Sequence, residues 1–246
     1  MLKTILLDKP LMMPAHDEFE KLVQSLNDPE SLRAYKEPLD HYLTSFLPRL
    51  LGCALIFFGN LVYGKPSYLK FRAVEVIARV PYQSWSSAAF TLLTLFYTDS
   101  KRALRLSTIS RFSRFASDNE TMHVVVISEL AKKEEPGGLI RHTLIPMSFA
   151  FFYFWMSYVM YLINPRWSLE TNYLFEQHAF DQYSLFLRDN EALLKSKSIE
   201  SEFLAWYGRH PRSQYEFFES VRNDEIIHRN QSIHEIPLNQ HHASGG

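Results

Sequence analysis

Two stretches, Asn119-Glu120-Thr121-Met122-His123 and Arg222-Asn223-Asp224-Glu225-Ile226-Ile227-His228, carry the only two Glu-x-x-His pairs in this chain. Residues three apart on an α-helix lie on one face. Glu120 with His123, and Glu225 with His228, therefore each offer a carboxylate and an imidazole in the same direction. Alone, such a pair is a weak signal: in a chain with 10 histidines, about one is expected by chance, and either can be a surface hydrogen bond. The weight comes from two more carboxylates in apolar surroundings, Glu75 within Ala73-Val-Glu-Val-Ile-Ala78 and Glu176 within Tyr173-Leu-Phe-Glu. An unpaired carboxylate is too costly to bury in such a setting without a partner.

Turn signals around these positions divide the chain into long segments that suit helices better than strands. Gly64, Pro66 and Ser67 precede a segment from about Tyr68 to Tyr97, and Asp99-Ser-Lys101 precede one from about Ala103 to Lys133. Pro136-Gly-Gly138 close it, and Thr143–Ile163, Ser168–Arg188 and Ser213–Ser232 follow. Glu75, Glu120 with His123, Glu176, and Glu225 with His228 fall on four of these segments, in that order. Four helices supplying Glu, Glu-x-x-His, Glu and Glu-x-x-His form the ligand set of a carboxylate-bridged di-iron or di-manganese centre in a helical bundle. Hard carboxylate oxygens with one imidazole per metal suit iron or manganese. The expected fold is all-α, a ferritin-like four-helix bundle.

Composition agrees with one sizeable domain. The chain has 246 residues, 46% hydrophobic and 15% aromatic, with a formal net charge of -1, which argues against both disorder and a nucleic-acid partner. Its single cysteine, Cys53, excludes an intramolecular disulfide and a cysteine-based metal site. Residues Met1 to Asp40 include Asp8, Asp17, Glu18 and Glu20 and have neither a clean apolar core nor an Arg-rich, acid-poor pattern, so they carry no signal for export or import.

Two stretches are unusually apolar. Thr143 to Pro165 is 23 residues without Asp, Glu, Lys, Arg or His, where roughly 20 apolar residues suffice to cross a bilayer. Tyr42 to Gly64 is similar but interrupted by Pro48 and Arg49, which favours an interfacial helix. A helix buried in the bundle is the alternative for the longer stretch. A single crossing by it would put Glu75, Glu120 and His123 on one side and Glu176, Glu225 and His228 on the other. The metal reading thus predicts two membrane-facing helices lying on one leaflet.

The chain resembles the alternative oxidase family, particularly its plastid-type branch of plastoquinol terminal oxidases, over roughly residues 60 to 232. The family's Leu-Glu-Thr corresponds to Val74-Glu75-Val76, followed by Ile-Ala-Arg-Val-Pro-Tyr at 77 to 82. Its Asn-Glu-x-x-His is Asn119 to His123, its Glu-Glu-His-Ala is Glu176-Gln177-His178-Ala179, and its Arg-x-Asp-Glu-x-x-His is Arg222 to His228. The resemblance implies that Glu75, Glu120, His123, Glu176, Glu225 and His228 hold two iron ions, with Glu120 and Glu225 bridging. It also implies that Tyr183 is needed for activity, that Asn119 and Asp224 orient ligands, and that Lys70, Val74 and Gln182 meet a quinol. Lys70 stands where the family has arginine, keeping the charge but not the planar fork, and Gln182 stands where it has threonine.

The implied function is a membrane-bound quinol oxidase, oxidising plastoquinol or a related quinol and reducing dioxygen to water without proton pumping. The implied setting is monotopic, on a thylakoid membrane or the cytoplasmic membrane of a photosynthetic prokaryote-type system, with membrane lipid as a partner and a homodimer as the possible assembly. Residues 1–40 would be an N-terminal extension, 41–235 the oxidase domain and 236–246 a flexible tail. The rivals are a ferritin-like di-iron hydroxylase of a lipid-soluble substrate and a non-catalytic membrane-associated helical protein. Glu170 lies six residues before Glu176, about 240° around the helix, and His178 about 200° away, so neither is expected to share its face. Glu129, His142, His241 and His242 are expected to be solvated or to support other groups.

Overall fold

The computed structural model describes residues 16–134 and 137–240. No β-strand occurs among them. The helices are α1 (His16–Ser25), α2 (Pro29–Lys36), α3 (Phe46–Tyr63), α4 (Tyr68–Ala78), α5 (Val80–Phe96), α6 (Ser100–Glu134), α7 (Ile145–Ile163), α8 (Pro165–Ser196), α9 (Glu202–Tyr207) and α10 (Gln214–Gln240). A 3₁₀ turn, Glu37–Leu39, follows α2, and a π-helical turn, Ile140–Leu144, leads into α7. The all-α bundle is built from α4, α6, α8 and α10, with α5 continuing the line of α4. The apolar α3 and α7 lie along it.

Several boundaries differ from the sequence reading, each for a local reason. The segment Tyr68–Tyr97 is two helices, because Pro81 lacks an N–H and its ring crowds the carbonyl of Ile77, which breaks the ladder at Arg79. Pro165 closes one helix by opening the next: Asn164 caps α8, its side chain accepting from the Arg166 N–H at 3.1 Å. That helix runs on to Ser196 through a kink at Asn190. Pro48 does not interrupt α3, since it falls in the first turn, where its missing donor has no intrahelical partner to lose. The last helix continues past Ser232 to Gln240. Of the expected tail, residues 241–246, with His241 and His242, lie outside the described residues, as do Met1 to residue 15 and Pro136.

Part of the expected N-terminal extension packs on the bundle. Phe19, Val23 and Leu26, buried on and just after α1, join Phe180, Ile226 and Ile227 in one apolar cluster. A second cluster, including Phe71, Met122, Tyr183, Phe186 and Phe218, fills one end of the bundle. A third, including Tyr82, Trp85, Phe112, Tyr161 and Leu169, fills the other. Between them lies the polar layer that carries Glu75, Glu120, Glu176 and Glu225.

The two apolar helices each turn a narrow face to the bundle and leave most of their surface exposed. Tyr153, Ser157, Met160 and Tyr161 of α7 face the bundle, while Phe151, Phe152, Trp155 and Ile163 are exposed. Buried serines hold that inner face: Ser84, Ser157 and Ser168 are linked at 2.8 Å each, and the Trp85 indole donates to Ser168 at 2.7 Å. The α3 helix turns Leu50, Phe57, Phe58 and Leu61 outward and sets Gly52 against Leu174 of α8.

Candidate metal centre

The six side chains singled out from the sequence meet inside the bundle, each at most 2% exposed. They form two groups, Glu75, Glu120, His123 and Glu225, and Glu120, Glu176, Glu225 and His228; within each, the potential ligand atoms lie within 4.8 Å of one another. Glu120 and Glu225 belong to both groups, the arrangement two neighbouring metals sharing bridging carboxylates require. The His123 Nδ1 atom is 3.4 Å from Glu120, 3.4 Å from Glu225 and 3.6 Å from Glu75. The His228 Nδ1 atom is 2.8 Å from Glu120, but not aligned for a hydrogen bond.

The unsatisfied atoms point to what the site holds. Glu75 Oε2, both oxygens of Glu120 and Glu225, His123 Nδ1, and both ring nitrogens of His228 are buried with no hydrogen-bond partner. Buried polar atoms are almost always paired, and eight concentrated in one layer match a pair of dications coordinated by oxygen and imidazole nitrogen. The residues present therefore fit a di-iron group.

The electrostatics agree. Burial, reinforced by the Glu120 charge, pushes Glu75 up to about 7. Burial, with the charges of Glu120 and Glu176, raises Glu225 well above the carboxylate range, and burial raises Glu176 too. Although burial opposes it, His123 and His228 hold Glu120 below that range; in return, and again against burial, both imidazoles are raised. Four carboxylates cannot all be charged in so dry a space unless cations replace the protons they share.

Neighbouring groups orient this set. Asp224 lies 2.8 Å from His123 Nε2, and as a carboxylate it accepts the imidazole proton, turning the Nδ1 lone pair toward the cluster. Burial works against ionisation of Asp224, but the Arg209 guanidinium outweighs it and lowers the group to about 2. Asn119 donates to Asp224 at 3.2 Å and to the Tyr207 hydroxyl at 2.9 Å.

Two buried tyrosines pair reciprocally with the outer carboxylates. Tyr183, seven residues after Glu176, donates to Glu75, whereas Tyr82, seven residues after Glu75, donates to Glu176 at 2.6 Å. Asn172 donates to the Tyr82 hydroxyl, Glu176 and Ser232 at 2.9, 3.0 and 3.1 Å. Sequence reasoning missed Tyr82, Asn172 and Arg209; the repeated seven-residue spacing was the one signal for Tyr82.

Beside Glu75, Glu176 and Tyr183 lies a cavity of about 210 Å³, walled mainly by apolar side chains of α3, α4, α7 and α8. Lys70, Val74, His178 and Gln182 line it. The Lys70 ammonium is buried, and desolvation lowers it to about 8. It donates to Asn60 and Gly64 at 2.8 Å and to Gln182 at 2.7 Å, which engages all three of its N–H bonds. Burial likewise lowers His178 to about 4, so its ring is neutral, 3.3 Å from Asn60.

The decoys lie elsewhere. Glu170 is buried but accepts from Tyr42, Ser45 N–H and Arg166 at 2.7 to 2.8 Å, away from the cluster. His142 accepts the Gly138 N–H at 3.1 Å. Neither Glu129 nor His142 belongs to a metal-competent group among the described residues.

Comparison with known proteins agrees with this geometry. Residues 64–236 match the family described as alternative oxidase. The chain is similar to "Ubiquinol oxidase 4, chloroplastic/chromoplastic" of Arabidopsis thaliana, 23% identical over 190 residues. That alignment covers 69% of this chain and 51% of the relative, so the chain spans about half the length of the curated relative it matches. No solved structure matches.

Proposed function

The chain belongs to the alternative oxidase family, and from that premise we propose that it is a membrane-bound quinol oxidase, passing electrons from two quinols to dioxygen and forming two waters. The observation that carries this reading is the pair of overlapping carboxylate and histidine groups with unsatisfied buried atoms, set against an apolar cavity. Glu75, Glu120, His123 and Glu225 would hold one iron, and Glu120, Glu176, Glu225 and His228 the other. When bound, the iron pair supplies electron exchange between quinol and dioxygen.

The chain's own groups account for binding and proton handling. The apolar cavity excludes water from the quinol ring. With every Lys70 N–H engaged, the amide nitrogens of Gln182 and Asn60, whose carbonyl oxygens Lys70 fixes, are the cavity-wall donors proposed to meet a quinol oxygen. Tyr183 touches Glu75 and lines the cavity, so a quinol seated there would meet its phenol next to the carboxylate layer. It is the residue proposed to assist electron and proton transfer. The exposed apolar faces of α3 and α7 would sit in one leaflet, with the cavity between them admitting a lipid-borne quinol. Plastoquinol as the quinol, a thylakoid or photosynthetic-type cytoplasmic membrane, the absence of proton pumping and a homodimer complete the proposal.

The test is iron content together with quinol-dependent oxygen uptake by the purified protein, beside Glu120→Ala. We expect about two irons per chain, uptake with a short-chain plastoquinol that yields water, and loss of both iron and uptake in the variant. Two irons without uptake, with oxygen incorporated into an organic product, would favour the hydroxylase. A product that is mainly hydrogen peroxide would contradict the four-electron reaction, and a protein that takes up no iron would refute the metal assignment.

A further inference from the structure

We infer that Glu20, on the N-terminal helix α1, is a positioning residue for the metal centre, acting on His123 through Arg209 and Asp224. The inference rests on the metal assignment above and adds a part to it: Glu20 lies outside residues 64–236, the stretch matched to the family.

Arg209 is 5% exposed and uses its fork on both sides. On one, NH2 and Nε donate to the Glu20 carboxylate at 2.7 and 3.0 Å. On the other, NH1 and NH2 donate to the two oxygens of Asp224 at 2.5 and 3.1 Å. Asp224 in turn accepts from His123 Nε2. A continuous chain of charge-assisted bonds thus runs from α1 to an imidazole whose other nitrogen faces the carboxylate layer. Bidentate pairs on a planar guanidinium fix direction as well as distance, so the Glu20 carboxylate sets where the Arg209 plane lies, and that plane sets the two oxygens of Asp224.

The rest of the N-terminal segment is tied to the same helix on either side of Glu225 and His228. Asn223 donates to the Val23 carbonyl and to Asn27 at 2.9 and 2.7 Å. Arg229 donates to Asp40 and to the Lys36 carbonyl at 2.7 Å each, and Asn230 donates to the Tyr35 carbonyl at 2.8 Å. Residues 16–40 are therefore part of the scaffold that holds α10 in register, and Glu20 is the member of that segment with a direct line to a proposed ligand.

The test uses the full-length chain, with cobalt(II) as the metal probe, because its visible absorption reports ligand geometry without turnover. Glu20→Gln keeps the size and one acceptor but removes the charge; Arg209→Lys keeps the charge but removes the fork. Val23→Ala loosens the packing of α1 without touching the relay. We expect Glu20→Gln and Arg209→Lys each to shift the cobalt absorption bands and to weaken cobalt binding about tenfold or more. Val23→Ala should lower the melting temperature and leave bands and affinity as in the wild type. Unshifted bands and unchanged affinity in both relay variants would overturn the proposal. So would equal shifts in Val23→Ala, which would reduce the role of α1 to general packing. If one relay variant fails to fold, the other gives the same reading. A wild-type chain that binds no cobalt or iron would overturn the metal assignment and this inference with it, whereas normal wild-type binding with silent variants would remove this inference alone.

Discussion

The side chains of Glu75, Glu225, His123 and His228 determine how the metal-free protein responds to pH. Glu75 titrates near 7 when folded against an ordinary 4.5, and Glu225 is raised further. A carboxylate raised by folding stabilises fully below its unfolded pKa and loses that contribution as pH climbs through the folded value. His123 and His228, raised above an ordinary 6.5, act in the same sense at higher pH. Glu235, buried near the end of α10 and raised to about 7, adds to it. Asp224 and Glu120 are lowered, so their contributions fade only in acid, as pH falls below their ordinary values. The melting temperature of the chelator-treated protein should therefore fall between about pH 5 and pH 8, while the increment from added ferrous iron grows, because metal displaces the retained protons. Thermal melts with and without iron under anaerobic conditions check this, and a metal-free melting temperature that rises across that range would contradict it. Helical spacing brought Glu120 with His123 and Glu225 with His228 to notice, because it converts a three-residue interval into a shared face, and an apolar setting brought Glu75 and Glu176. Arg209 and Asn172 were not legible, since their roles depend on neighbours brought close by packing rather than by spacing.

Elements divide into those that carry chemistry and those that place it. The four ligand-bearing helices read directly from the sequence. The break between α4 and α5 did not, although Pro81 marks it, because Glu75 and Tyr82 stay on one line across it. The α3 helix depends on Gly52. A Cβ there would come within 2.7 Å of the Leu174 Cδ1 atom and 3.3 Å of its Cβ, so α3 approaches α8 more closely than a side chain permits. Gly52→Leu should cost about 1–3 kcal/mol by overpacking and raise the KM for quinol, because α3 forms a cavity wall, while iron content stays near two per chain. Denaturant titration with iron analysis measures this. Full stability, or loss of iron with stability unchanged, would contradict the assigned place of α3.

At the scale of the whole molecule, chain connectivity limits how the apolar helices would meet a membrane. Two described helices, Phe46–Tyr63 and Ile140–Ile163, are long and apolar enough to cross one. Glu120 precedes α7 and Glu176 follows it, yet their side chains share one group. Likewise α1 precedes α3 but packs on α10, with Phe19 in the same cluster as Ile226. Neither helix can make a single crossing without tearing the bundle apart. In a Cys53→Ser background, Leu139→Cys before α7 and Asp189→Cys after it should react alike with an impermeant thiol reagent on sealed vesicles. Labelling of one and protection of the other would contradict a monotopic seat. The protein should also resist salt and alkaline washing yet dissolve in detergent, as an amphipathic platform does.

By itself, the sequence determined the helical class, the four segments that carry the candidate ligands and the presence of two apolar helices. These follow from period, charge and hydrophobicity, which act over a few turns of chain. Only the tertiary structure decided that Glu120 and Glu225 belong to both groups, that Tyr82 and Tyr183 cross over to each other's carboxylates, and that Glu20 of α1 meets Asp224 of α10 through Arg209. Those relations join residues as many as 189 positions apart. No local pattern encodes such contacts; they form when burying the apolar faces brings the helices into a single register.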